Sequence, residues 1–136
     1  MTAATGAWAD VTWSLSDGTL TISGTGAMAD YMSAQPWSGS LSSITSIVVG
    51  EGVTRIGNNA FRQCSNATSI SLPTTLETIG NNAFYGCSNA ALTSITIPEN
   101  VMTIGNFAFR GCSSLTTVII PNSVESIGSS AFSNCI

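Results

Sequence analysis

The sequence predicts a solenoid of the α/β class, made mainly of short parallel strands with brief helical turns and headed by a β-hairpin cap. Three observations carry that expectation: one apolar template recurs at a fixed period, each copy holds a strand-like run ended by a turn, and the segment before the first copy has hairpin spacing. Gly57, Gly80, Gly105 and Gly128 lie 23, 25 and 23 residues apart. Each follows an isoleucine (Ile56, Ile79, Ile104, Ile127) and precedes an Ala-Phe pair by three residues: Ala60-Phe61, Ala83-Phe84, Ala108-Phe109 and Ala131-Phe132. Three residues after each phenylalanine comes a cysteine, at Cys64, Cys87, Cys112 and Cys135. With 136 residues, 43% of them apolar, the chain can build one core, and one continuous domain is expected.

Residues 1–43 read as the cap. Val11 to Ser16, then Asp17-Gly18, then Thr19 to Ser23 has the form of a hairpin with a two-residue loop. Closing at Asp-Gly pairs Ser16 with Thr19, Leu15 with Leu20 and Trp13 with Ile22, so the apolar residues share one face without a slip. Gly24 and Gly26 end the hairpin, Ala27 to Met32 is expected to make one or two helical turns, and Trp37 is expected to plug the top of the stack. A terminal coil needs such a cover because its core and strand edge are otherwise open.

Residues 44–136 read as four repeats. The strand runs are Ile47-Val48-Val49, Ile70-Ser71-Leu72, Ile95-Thr96-Ile97 and Val118-Ile119-Ile120. Gly50 and Gly52 end the first and Pro73, Pro98 and Pro121 end the others, since proline cannot donate to a ladder. Residues of one phase stack coil on coil, so the aliphatic, Ala, Phe and Cys columns should point inward and the Ser, Thr, Asn, Glu and Arg columns outward. The glycine column is expected to serve a corner of positive φ. The longer spacing comes from a two-residue insertion at Ala90-Ala91, where CSNAALTSI replaces CSNATSI. Ala67 is the weak member of the column that holds Ile44, Leu92 and Leu115, and looser packing is expected beside it. No cap is visible after the last strand, so the chain is expected to be a fragment of a longer array or to self-associate end to end.

Three arginines, Arg55, Arg62 and Arg110, stand against seven carboxylates, with no lysine or histidine. So sparse a set of cations cannot form a phosphate-tracking patch, which argues against nucleic acid. No apolar run is long enough to span a membrane, and MTAATGAWAD lacks the basic start and apolar stretch of a signal peptide. Without histidine the Ser-His and Cys-His nucleophile pairs are unavailable, and the acids show no local pairing, so no enzyme is expected. The cysteines lack the Cys-x-x-Cys spacing of a zinc site. Stacked in one column about 4.8 Å apart, they are too far for the roughly 3.5–4.5 Å Cβ separation of a disulfide. Free buried thiols and no metal or cofactor are expected. Gly24-Thr25-Gly26 reads as a turn, and Asn66-Ala67-Thr68 as a chance glycosylation triplet.

The template, quoted from ITIPENVMTIGNFAFRGC and its partners, resembles the BspA-type leucine-rich repeat family of bacterial surface proteins. The opening WSLSDGTLTISGTGAM is similar to the segment before the first repeat in many members, so the resemblance covers residues 11–136. Gly50-Glu51-Gly52 departs from the proline turn, and Phe107 stands where two other repeats have Asn. The resemblance implies a leucine-rich-repeat solenoid that is secreted or attached to the cell surface, and a role in adhesion to host proteins, host cells or other microbes.

Two surfaces are candidates for binding a protein or glycan ligand. One is the outward strand column Val48, Ser71, Thr96 and Ile119, flanked by Thr45, Thr68, Thr93, Thr116 and by Ser46, Ser69, Ser94, Thr117. Strand propensity alone would also produce these columns. The other comprises Arg62, Tyr85, Phe107 and Arg110, residue types common at interface hot spots, in columns otherwise polar. The function expected is an extracellular protein-binding or adhesion module. The alternative is a structural spacer or self-associating scaffold segment, with an ice- or crystal-binding face a distant third.

Overall fold

The computed structural model describes residues 4–8 (as backbone), 11–32 and 35–135; part of the first ten residues, read above as lacking a leader, lies outside them, as do the last residue and 33–34. The chain winds into a β-solenoid of about five turns with few helices. Its first strands are β1 (Ala4–Trp8), β2 (Val11–Ser16), β3 (Thr19–Gly24) and β4 (Gly26–Ala27). Each later coil contributes two: β5 (Ser46–Val49) and β6 (Val53–Ile56), β7 (Ser69–Ser71) and β8 (Thr78–Ile79), β9 (Ser94–Thr96) and β10 (Thr103–Ile104), β11 (Thr117–Ile119) and β12 (Ser126–Ile127). They form three sheets, in the orders β1-β2-β3-β5-β7, β4-β6-β8-β10-β12 and β9-β11.

The cap hairpin has the expected register, with Ser16 opposite Thr19, Leu15 opposite Leu20 and Trp13 opposite Ile22. Asp17 and Gly18 take φ of 51° and 84°, as a turn matched to strand twist requires. The hairpin is also part of a coil in its own right. Strand β3 runs parallel to β5, with Leu20 beside Ile47 and Ile22 beside Val49, and β4 pairs with β6. The helical turns expected over Ala27 to Met32 do not form. That segment sends its N–H groups sideways, Met28 to the Arg55 carbonyl at 3.1 Å and Tyr31 to the Asn58 carbonyl at 2.9 Å, so the neighbouring coil takes the donors a helix would use.

Trp37 closes the top of the core as expected. It is 1% exposed, stacks on Phe61 at 5.7 Å and donates its indole N–H to the Ala60 carbonyl. Below it Phe61, Phe84, Phe109 and Phe132 stack at centroid spacings of 5.2–5.3 Å. The brief helical turns around these phenylalanines are single i→i+3 turns, as from Ala83 N–H to the Gly80 carbonyl; the described residues hold a 3-10 helix at Ser38–Ser43. Ala60, Ala67, Ala83 and Ala108 are fully buried between coils.

The glycine column has a different cause from the one expected. Gly57, Gly80, Gly105 and Gly128 do not adopt positive φ; that conformation falls two residues later, on Asn59, Asn82, Phe107 and Ser130. The glycines are small because the preceding coil occupies the space of a side chain. A Cβ on Gly80 would sit 2.6 Å from Asn58 Oδ1, and one on Gly105 2.6 Å from Asn81 Oδ1. Those oxygens belong to an asparagine ladder: Asp30 Oδ1 accepts from Asn58 N–H, Asn58 Oδ1 from Asn81 N–H, Asn81 Oδ1 from Asn106 N–H and Asn106 Oδ1 from Ser129 N–H, each at 2.8 Å. Each bond satisfies a corner donor that no strand reaches.

The insertion at Ala90-Ala91 has a local effect. Asparagine ladder, phenylalanine stack and second sheet continue past it, yet no ladder joins β7 to β9, so the first sheet ends at β7 and a third begins at β9. Thr93 donates its N–H to Ala91 instead of across to Thr68, whereas Thr68 and Thr116 reach the preceding coil at Thr45 and Thr93. At the far end of the stack Ile119, Ile120 and Ile127 are 72%, 38% and 47% exposed.

Candidate functional site

The outward strand column forms in two pieces. Val48 lies beside Ser71 in one ladder and Thr96 beside Ile119 in another, with the break between β7 and β9 separating Ser71 from Thr96. On the cap side Thr21 continues the first piece, a member visible only once β3 is seen to pair with β5. The flanking threonines are structural: Thr45, Thr68 and Thr116 each direct Oγ1 to a carbonyl of the preceding coil. Ser46 and Ser69 hydroxyls bond each other at 3.2 Å. A surface whose hydroxyls are already engaged with its own backbone has fewer of them to offer to ice or a crystal face.

The second candidate set is brought together. The Arg62 guanidinium lies 5.1 Å from the Tyr85 ring centre, and that of Arg110 lies 5.9 Å from Tyr85 and 5.4 Å from Phe107. The four side chains form a continuous cation–π ladder across three coils, on the edge where the chain leaves the asparagine corner. Arg62, Tyr85 and Arg110 occupy equivalent positions in successive repeats, so coil stacking alone delivers their contact. Phe107 joins from the neighbouring column, at φ 58°. Asn59 and Asn82 hold that left-handed position in earlier coils, and asparagine tolerates it well. A phenylalanine there costs roughly 1–2 kcal/mol of backbone strain.

The cysteines line the interior as free thiols, Cys64, Cys87 and Cys112 buried and Cys135 partly covered. Cys87, Cys112 and Cys135 direct Sγ to the carbonyls of Phe61, Phe84 and Phe109, giving those buried oxygens a second partner. Burial pushes the Cys64 thiol up to about 12, and the Cys112 thiol, then burial, holds Cys87 well above the ordinary range. Cys64 and Cys87 therefore stay protonated at neutral pH and are poor nucleophiles. Among the described residues no group of three or more His, Cys, Asp or Glu side chains is placed to hold a metal ion. No helix among them is long and apolar enough to cross a membrane.

Sequence reasoning missed a third feature, the opening between β7 and β9. It contains two adjoining cavities of about 560 and 240 Å3 that share Ile70 and Thr96. The signal was present in the insertion, but a loop insertion by itself does not say which ladder it interrupts.

Residues 38–136 match, in six copies, the family described as BspA type leucine rich repeat region. Three crystal structures of leucine-rich repeat proteins share the fold. The one from Eubacterium ventriosum is 29% identical with a TM-score of 0.74, over 94% of this chain and 40% of that one. The one from Bacteroides ovatus is 35% identical with a TM-score of 0.65, over 70% and 24%. That from T. pallidum is 26% identical with a TM-score of 0.68, over 96% and 67%. The chain thus spans well under half the length of the first two. No curated protein is similar enough in sequence to count as a match. The family and fold are typically non-enzymatic scaffolds, compatible with a protein-interaction module. With the repeat, the solenoid and these likenesses in agreement, the chain belongs to the BspA-type leucine-rich repeat family.

Proposed function

We propose that this chain is a recognition module of a secreted or surface-attached bacterial protein, binding a protein or glycan ligand through the ladder of Arg62, Tyr85, Arg110 and Phe107. The observation that carries the reading is Phe107. It is a partly exposed aromatic in a left-handed position that costs stability, and it completes a contiguous aromatic and guanidinium surface. Two of the three cations of an acidic chain are concentrated there, which suits a partner presenting carboxylates beside an apolar or sugar-ring face. The surface association usual in the family supports an extracellular setting.

The test is a binding screen against host matrix proteins and glycans, followed by the double variant Tyr85→Ala, Phe107→Ala. Loss of at least ten-fold in affinity with an unchanged circular dichroism spectrum is expected. Unchanged affinity for an identified ligand would sink the assignment. A second reading, a self-associating scaffold segment, is favoured by the exposed Ile119, Ile120 and Ile127. Solution mass measured across a hundred-fold concentration range decides it: a constant monomer removes that reading, and reversible dimers abolished by Ile120→Asp establish it.

A further inference from the structure

We propose that the slot between β7 and β9 is a docking site for an extended peptide that inserts an apolar side chain and places a basic residue beside Glu99. In a regular coil the inward strand residues are sealed by the next ladder: Ile47 and Val49 are 0% and 3% exposed. Ile70 and Leu72, at the same phase one coil on, are only partly buried, because the strand that should cover them belongs to a separate sheet. Ile70, Leu72, Ile97 and Pro98 floor the larger cavity, and Thr96 and Glu99 stand on its rim. Its volume of about 560 Å3 is ample, since an apolar cavity of about 150 Å3 already takes a benzene-sized guest.

The occupant follows from the chemistry of the walls. Both walls are strands whose facing edges lack a ladder yet stay too close for a further strand between them, so the peptide lies along the mouth, where unpaired backbone groups can meet its main chain while the pocket below selects a side chain. Glu99 is the acidic side chain of the lining, on a chain of net charge −4, so a cation beside the inserted residue is favoured. The lining holds no aromatic ring on which a sugar could stack. The opening is confined to this one junction, because β8 pairs with β10 and Asn81 bonds Asn106 normally behind it. That rigid hinge side keeps the slot formed without a ligand, so little ordering is needed on binding.

The probe is a synthetic heptapeptide with leucine at its centre, a lysine on either side of it and no other charge, titrated into the isotope-labelled chain by NMR. A second peptide has the lysines replaced by glutamate. Expected are saturable shifts centred on Ile70, Leu72, Thr96 and Ile97, at least ten-fold weaker binding of the acidic peptide, and weakening by Glu99→Gln. Deleting Ala90 and Ala91 restores the shorter spacing, and should join β7 to β9 and reduce binding at least ten-fold. Should the deletion fail to fold, Thr96→Trp carries the same test, since this exposed position lines both cavities. Absence of binding by the lysine peptide, shifts centred elsewhere, or binding indifferent to both closures overturns the proposal. So does concentration-dependent shifting of the slot without peptide, which would give it to a second copy of the chain.

Discussion

Replacing Gly80 with alanine separates two explanations for the most regular column in the sequence. The added Cβ would lie 2.6 Å from Asn58 Oδ1 and 2.8 Å from both Asn58 N and Ile56 O, where ordinary contacts are 3.4–4 Å. Two of those three atoms are backbone, held in place by the 2.9 Å bond from Gly80 N–H to Ile56 O and by the pairing of β6 with β8. Forcing the coils apart costs about 1–3 kcal/mol. Swinging the Asn58 carboxamide aside forfeits its bond to Asn81, about 1 kcal/mol more. Alanine restricts the unfolded chain and returns roughly 0.4–1 kcal/mol. The net loss expected is about 1–3.5 kcal/mol, read as a fall in urea midpoint with an unchanged slope. Gly80→Asn should lose at least as much as Gly80→Ala, since its side chain is longer. Gly111 is the control: at φ 75°, with nothing nearer its Cβ than 3.6 Å, it should accept asparagine better than alanine. An asparagine at Gly80 more stable than alanine would return the column to a requirement for positive φ.

Four further outcomes are expected. Phe84→Ala, removing a fully buried ring stacked on both sides, should destabilise by about 3–5 kcal/mol, with the half-buried Phe132 costing clearly less in the same urea series. Phe107→Asn should raise stability by about 1 kcal/mol by relieving the left-handed strain, while weakening the proposed ligand contact; destabilisation would show that Phe107 is there for packing. Alkylation at pH 8 read by mass spectrometry should modify Cys135 first and leave Cys64 and Cys87 intact until denaturant is added. The Asp30 carboxyl is held below its ordinary 3.8 by the Asn58 N–H and then by Arg55, so the stability it supplies is complete above about pH 4 and is lost as pH falls through its lower native value. Asp30→Asn should flatten that part of the acid titration, and an unaltered pH profile would count against the bond.

The repeat, the hairpin register and the inward columns were legible because each is a consequence of side-chain period, and period survives in a one-dimensional reading. Trp37 could be placed for the same reason: a lone large aromatic ahead of a phenylalanine column has one core to enter. The asparagine ladder was not legible. Asn58, Asn81 and Asn106 look like solvated polar residues until the backbone of the next coil is seen to stop at their carboxamides. The glycines were misread with them, because small size and positive φ leave the same letter in a sequence. Ala27 to Met32 went wrong where tertiary hydrogen bonds overrode local propensity. Contiguity of Arg62, Tyr85, Arg110 and Phe107 needed the coil spacing in three dimensions, and the slot needed the knowledge of which ladder two extra residues interrupt.

The two surfaces proposed for binding, the ladder completed by Phe107 and the slot beside β7, each include a departure from the repeat, and there is a physical reason to expect this. In a solenoid every coil must present to the next the same strands, corner bonds and core rings, so a regular position is committed to stacking and contributes to stability through its neighbours. Its polar groups are consumed in doing so, as the threonine hydroxyls and asparagine carboxamides are here. Recognition then falls to positions that stacking does not fix. An exposed side chain can change freely, as Arg62, Tyr85 and Arg110 have within one column. A column can be violated at a cost that the rest of the array absorbs, as Phe107 does at φ 58°. A spacing can lengthen on one side while the other holds, as at Ala90-Ala91, where the unchanged second sheet and ring stack carry the junction and free the first sheet to open. The regular repeats supply the stability from which those departures are drawn, and it is the departures that distinguish this array from any other stack built on the same template.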